Sequence, residues 1–229
     1  MIGTWINVAT VVLGSGLGLF LGARLPERFR ETMVCGLGLL TLVVGLQMAL
    51  KTDNILIVMG SILTGGLIGE GINLQYRLDR LGQILQARLG TNDGRFSQGF
   101  VTASLVFCVG PMTFMGALQD GLTGDYHLLA VKATLDGFAS LAFAASLGIG
   151  VLFSAITVIV VQGSISISAG LLQDQLTAEM INEMVACGGL MVLGIGFMLL
   201  NVVNLRVANF LPGLVIAPLL VVVLARLPV

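Results

Sequence analysis

The chain has 229 residues, 56% of them hydrophobic and only 10% charged, with a formal net charge of −1. A soluble domain needs about 25% charged residues to solvate its surface, so a soluble globule is excluded and lipid must cover much of the chain. The near-zero charge gives no footing for nucleic acid, and a mean hydropathy of +1.02 fits about eight membrane spans of roughly 20 residues each.

Apolar runs predict spans over 2–23, 32–50, 55–73, 98–118, 128–147, 150–172, 182–201 and 208–226. The first has no basic n-region and runs into the arginines of 24–30 rather than a small-residue cleavage site, so a retained helix is expected, not a leader. After the third span comes a stretch of different character. Leu74, Leu78, Leu81, Leu85 and Leu89 fall on one helical face, with Arg77, Asp79, Arg80 and Arg88 off it. That pattern fits a helix over 74–90 lying in the membrane surface, and equally one packed on the protein's own loops. A short polar turn is expected at 91–95.

The fourth and fifth spans bring polar groups into the apolar phase. Gly110-Pro111 interrupts the fourth, because proline has no N–H and its ring obstructs the carbonyl four residues back. A break there frees backbone groups, beside Thr113, that can bind an ion or polar solute; a packing kink is the plainer reading. Gln119 and Asp120 stand at the outer end of this span. In the fifth, Lys132 and Asp136 are four apart and share a face. A charge at the bilayer centre costs at least about 2.5–3.5 kcal/mol, so the two form either a structural ion pair or a site that releases one charge to a solute or proton. The sixth span adds Gln162, Ser164, Ser166 and Ser168, for which close helix packing is the default. Cys35, Cys108 and Cys187 have neither disulfide nor zinc spacing and read as buried, inert thiols.

With the first loop cytoplasmic and all spans crossing, the inner segments hold Arg24, Arg28, Arg30, Arg77, Arg80, Arg88, Arg95 and Arg206, and the outer ones only Lys51 and Arg226. Asp120, Asp125, Asp174, Glu179 and Glu183 collect outside. The positive-inside rule then puts both termini outside.

The two ends of the chain repeat. Glu27, Glu31, Cys35 and Gly36 match Glu179, Glu183, Cys187 and Gly188 at a constant offset of 152, and after a one-residue slip Gly38, Leu39, Leu42 and Gly45 match Gly189, Leu190, Leu193 and Gly196. The unit is three spans, one to three and six to eight. Five spans precede the second copy, so the copies are inverted, as in many secondary transporters. The expected fold is thus an all-α integral membrane protein of about eight transmembrane helices, a single domain over 1–229. It divides into repeat one (1–73), the surface helix (74–90), a central pair (96–147) and repeat two (148–229). The paired glutamates Glu27/Glu31 and Glu179/Glu183 suit helix N-termini. As a sharper possibility they are gates on opposite faces, with Glu70 a third.

No HExxH, GxSxG or P-loop pattern is present, so neither an enzyme nor ATP-driven transport is expected. The run GPMTFMGALQDGLTGDYHLLAVKATLDGFASLAFAASLGIGVLFSA, followed by QGSISISAG, resembles a bacterial multi-pass family of unknown function typified by YqgA and YdfK. The opening MIGTWINVATVVLGSGLGLFLG is similar to that family's start. The resemblance places Gly110, Pro111, Gln119, Asp120, Lys132, Asp136 and Gly137 on the shared motif and implies a bacterial inner-membrane protein, without supplying a substrate.

The expected activity is secondary transport of a small polar or ionic solute, coupled to H+ or Na+. Its site would comprise Gly110, Pro111, Thr113, Gln119, Asp120, Lys132, Asp136, Gln162 and Ser164, and no cofactor is needed. The alternatives are a passive ion channel and a structural or partner-binding membrane protein. The partners expected are the lipid bilayer and a small solute or ion, with abundant glycine also suiting a homo-oligomer.

Overall fold

A backbone surrounded by lipid must satisfy its N–H and C=O groups within its own helices. The computed structural model describes residues 1–24, 26–89, 95–172 and 176–225, and among them there are helices and no strand. In chain order these are α1 (Ile2–Gly22), α2 (Glu27–Ala49), α3 (Ile55–Gly71), α4 (Leu74–Leu89), α5 (Phe96–Cys108), α6 (Pro111–Leu122), α7 (His127–Leu147), α8 (Gly150–Ile167), α9 (Ala169–Leu172), α10 (Ala178–Leu199) and α11 (Pro212–Ala225), with a 3-10 turn at Val207–Phe210 before the last.

Local chemistry explains the helix ends. The Asn54 side chain caps α3 by accepting the Leu56 N–H at 3.1 Å, and Thr177 caps α10 through the Met180 N–H at 3.2 Å. Asn73 and Asn201, with φ of 52° and 55°, stop α3 and α10 in the left-handed conformation that asparagine tolerates. Gly148, at φ 83°, turns α7 into α8.

Among the described residues six helices are long and apolar enough to cross a membrane, and up to eight spans result if each of two bent pairs counts as one. One pair is α3 with the start of α4, bent by 57°; the other is α5 with α6, bent by 61°. The fourth predicted span is therefore two short helices parted at Val109–Gly110. On α4, Leu74 and Leu78 are half-buried while Arg77 and Arg80 are exposed, as its amphipathic pattern requires. The side chains of Leu81, Leu85, Arg88 and Leu89 lie outside the described residues, as do Asp174, Arg226 and all of the 91–95 turn except Arg95. Cys108 and Cys187 are buried, but Cys35 is exposed: it stands on a stretch of α2 where the adjacent Gly36 has no neighbour either.

The chain forms two interleaved compact units, Met1–Leu37 with Asp79–Asp174, and Gly38–Leu78 with Gln175–Val229. The first is built on α1 and α7. Gly14, Gly18 and Gly22 recur every four residues on α1 and lie against Gly137, Leu141 and Ala145 of α7, so the two helices run parallel at backbone contact. Alongside them α8 serves as a rail for the broken span. A Cβ on Gly150 would collide with Phe96 at the start of α5, and the Ser104 hydroxyl donates to Thr157 at 2.9 Å. Ser166 donates to the Ala117 carbonyl, also at 2.9 Å, and Gly121 touches Ser166 and Ala169. Both α5 and α6 thus advance along α8 in the same direction. They make one interrupted run, not a hairpin.

In the second unit α2 and α10 are antiparallel. A Cβ on Gly45 would lie 2.6 Å from the Leu193 nitrogen, and one on Gly196 3.0 Å from the Leu42 nitrogen. Helix α3 likewise runs antiparallel to the 3-10 turn and α11, with Gly69 against Asn209, Gly65 against Gly213 and Gly60 against Leu220. Val58, Ala186, Cys187 and Ala217 form the core between α3, α10 and α11.

A side chain at Gly18 must displace the α7 backbone, whereas Gly16 faces open space. Gly18→Val is expected to destabilise the folded protein by about 1–3 kcal/mol, and Gly16→Ala to leave its melting temperature in detergent unchanged. Equal melting of the two variants would contradict this packing.

Candidate functional site

The first unit is apolar outside and polar along its axis. On α1 the buried residues include Thr4, Asn7 and Ser15; on α7 they include Lys132, Asp136 and Ser140, one turn apart in succession; on α8, Ser154, Gln162 and Ser166. Each set follows the helical repeat, so each forms a stripe facing inward.

At the centre is a charge pair. Lys132 and Asp136 are only 6% and 7% exposed, and the ammonium bonds Oδ2 of the carboxylate one turn along α7. Asn7 on α1 donates its Nδ2 to the same oxygen at 3.0 Å. Phe107 near the end of α5 packs on Phe143 of α7, and Gly116 of α6 lies against Leu129, so the helix break faces the stretch of α7 that carries both charges. Across the break the Thr113 hydroxyl donates to the Phe107 carbonyl at 3.1 Å, retying an acceptor that the interruption of the helix leaves free. Gly110 is extended, with no neighbour where a side chain would be. The backbone of Pro111 opens α6; its side chain lies outside the described residues.

Asp120, also buried, accepts the Gly3 N–H at 3.1 Å and the Met1 amino group at 3.0 Å. Gln162 is 0% exposed, yet neither its Nε2 nor its Oε1 has a partner. The same holds for Thr4 Oγ1, Asn7 Oδ1 and Ser15 Oγ. An unsatisfied buried polar group costs about 1–3 kcal/mol, so the axis carries more polarity than folding repays. Two of the expected residues are not brought here. Ser164 is exposed and bonds the Val161 carbonyl of its own helix, and Gln119 is exposed at the end of α6. Beyond them, in the α6–α7 connection, the His127 N–H and then its ring bond Asp125 and hold its carboxyl below the usual carboxylate range.

The glutamates divide sharply. Glu183 is fully buried and accepts the Thr52 hydroxyl at 2.7 Å, the Asp53 N–H at 2.8 Å and the Asn54 N–H at 3.0 Å. It therefore holds the α2–α3 connection and sets an anion at the positive end of α3. Glu70 does comparable work at the other end: Arg206 pairs with it, and Asn209 donates to it at 2.5 Å. Asn209 in turn accepts the Gln75 N–H at 2.7 Å, and Gln75 accepts the Ala208 N–H at 3.1 Å. Glu31 and Glu179 are exposed, and the Glu27 side chain lies outside the described residues. Asn7, Thr52, Arg206 and Asn209 were not singled out in the sequence. A lone amide in the otherwise apolar run 2–22 was the available signal for the first.

Comparison with known proteins agrees with the resemblance. A family model described as a protein of unknown function, DUF554, matches residues 2–222, and the chain belongs to that family. It is 33% identical to the uncharacterized protein YqgA of Escherichia coli (strain K12), over 95% of this chain and 94% of that one. It is 26% identical to YdfK of Bacillus subtilis (strain 168), described as an uncharacterized membrane protein, over 98% and 97% of the two chains. No solved structure matches the chain significantly.

The matched glutamates make a direct comparison. Glu183→Gln is expected to cost about 1.5–3 kcal/mol, the range for hydrogen bonds to a charged group, while Glu31→Gln leaves melting unchanged. A Glu183→Gln variant as stable as wild type would refute the anchoring role.

Proposed function

We propose that this DUF554 member is a secondary transporter moving a small polar or ionic solute across the bacterial inner membrane, coupled to H+ or Na+. The observation that carries the reading is the buried pair of Lys132 and Asp136, beside an interrupted helix and among unpartnered buried polar groups. A buried ion pair is weak evidence for stability, because desolvation of both charges offsets their attraction. A pair kept under those conditions is better explained by exchange: one charge lets go when a solute or proton arrives. Lys132, Asp136 and Gln162 contact the solute, with Asp120 and Thr113 nearby and Gly110-Pro111 supplying the unwound backbone.

The architecture supports the same reading. Counting each bent pair, α3 with the start of α4 and α5 with α6, as one span gives eight crossings, and the arginine distribution then favours both termini outside. The inverted repeat draws support from a reciprocal contact: Gly45 rests on Leu193 while Gly196 rests on Leu42, so the repeat's match of Gly45 with Gly196 and of Leu42 with Leu193 carries one contact into the other. Two copies related this way interchange on passing between inward-open and outward-open states. Of the gate candidates, Glu31 and Glu179 are exposed and unengaged by the anchoring contacts, whereas Glu183 and Glu70 hold opposite ends of α3.

The test is uptake of radiolabelled amino acids and organic acids into liposomes holding the purified protein, under imposed H+ or Na+ gradients. Slow, saturable flux of at least one solute is expected, falling to background in Asp136→Asn and in Lys132→Ala at equal folded yield. Unchanged flux in both variants would remove the site, and large unitary currents would establish a channel instead.

A further inference from the structure

Helix α1 carries more buried polarity than its packing against α7 needs. Thr4 and Asn7 lie one turn apart on a single face and are 2% and 0% exposed. Neither Thr4 Oγ1 nor Asn7 Oδ1 has a hydrogen-bond partner. The Asn7 amide is not free to turn and find one, because its Nδ2 is engaged with Asp136. Its Oδ1, on the same amide carbon, is therefore held beside that carboxylate. Lys132 and Asn7 both donate to Oδ2 of Asp136, and Oδ1 receives no bond among the described residues.

What lies together is one carboxylate and one amide carbonyl, with a buried hydroxyl one turn along α1. All are hard oxygen ligands, which exclude a soft metal that prefers nitrogen or sulfur. A single negative charge is a poor match for Ca2+, whose sites gather 6–8 oxygens, commonly from several carboxylates. It suits a monovalent cation. One cation is already there, tethered: the Lys132 ammonium.

We propose that Asp136, Asn7 and Thr4 form a binding site for Na+, and that the Lys132 ammonium is its built-in competitor. In the structure the ammonium holds Asp136 and the site is closed. Na+ entering between the carboxylate, Asn7 Oδ1 and Thr4 Oγ1 displaces the ammonium, which then presents its charge to an anionic group of the solute. Cation and solute binding become mutually favourable without either touching the other. This deepens the transport reading and rests on it for the role of coupling ion, but its test reads binding and not flux.

The experiment is 22Na+ binding to the purified full-length protein in detergent, with melting measured in NaCl and in choline chloride at equal ionic strength. Wild type is expected to bind 22Na+ saturably and to melt higher in Na+ than in choline. Lys132→Met is expected to bind Na+ about tenfold more tightly, the gain from removing a competitor that holds the site about nine-tenths of the time. Thr4→Val, which replaces only the hydroxyl, is expected to weaken binding, and Asn7→Leu to abolish it. Equal melting in Na+ and choline with no 22Na+ binding in wild type overturns the site. So does Na+ affinity unchanged by Thr4→Val, a comparison that decides the matter even if Lys132→Met does not fold. Solute flux by a protein that binds no 22Na+ would overturn the cation site and leave the transporter standing. Na+ binding with no flux of any solute would do the reverse.

Discussion

Lys132 and Asp136 can be carried inside an apolar helix only as a pair, and that pair constrains what surrounds it. Either charge alone would leave an uncompensated ion in a low-dielectric interior, at a cost of several kcal/mol. Together they still leave hydrogen-bonding capacity on both groups, and it has to be met from neighbouring helices. Asn7 meets part of it from α1. That requires α1 at backbone distance from α7, which the glycines at 14, 18 and 22 provide. The backbone contact of α1 with α7 thus serves to bring one amide to one carboxylate.

Much of this was legible in the sequence, for identifiable reasons. Hydropathy sets helix ends to within a few residues, because the apolar phase has a fixed thickness. Gly110-Pro111 announced the break, since no helix accommodates that pair without losing a backbone bond. The Lys132–Asp136 spacing announced the bond between them. What could not be read was helix rotation. Ser164 and Ser166 look alike in sequence, yet one bonds its own helix at the surface and the other reaches α6. Asn7 could have been placed. It lies on the same face as Gly14, Gly18 and Gly22, and a stripe of small residues is where a partner helix comes closest.

The repeat illustrates a different limit. Glu31 and Glu183 are equivalent in sequence, but Glu183 is buried against three donors and Glu31 is exposed. Cys35 and Cys187 part in the same way. Sequence symmetry fixes which residues could play the same part. Occupation of the part depends on what packs over it, and only the second copy has α3 and α11 there. On the transport reading proposed above, such inequality is what two interchanging halves require of any single conformation: if both copies made every contact, nothing would distinguish one state from the other.

The interrupted span brings these threads together. Helices α5 and α6 follow α8 in one direction, so the break costs the chain no crossing; it changes only where backbone groups point. The opening falls between the contacts of Phe107 with Phe143 and of Gly116 with Leu129, on the stretch of α7 that carries Lys132 and Asp136. A continuous helix at that level would show the pair nothing but side chains. The broken one shows it backbone that can bond a solute, while Thr113 reties the carbonyl left on the other side. On the transport reading proposed above, break and charge pair are one device: the pair supplies charge that can be released, and the break supplies neutral groups that can follow a solute without themselves titrating.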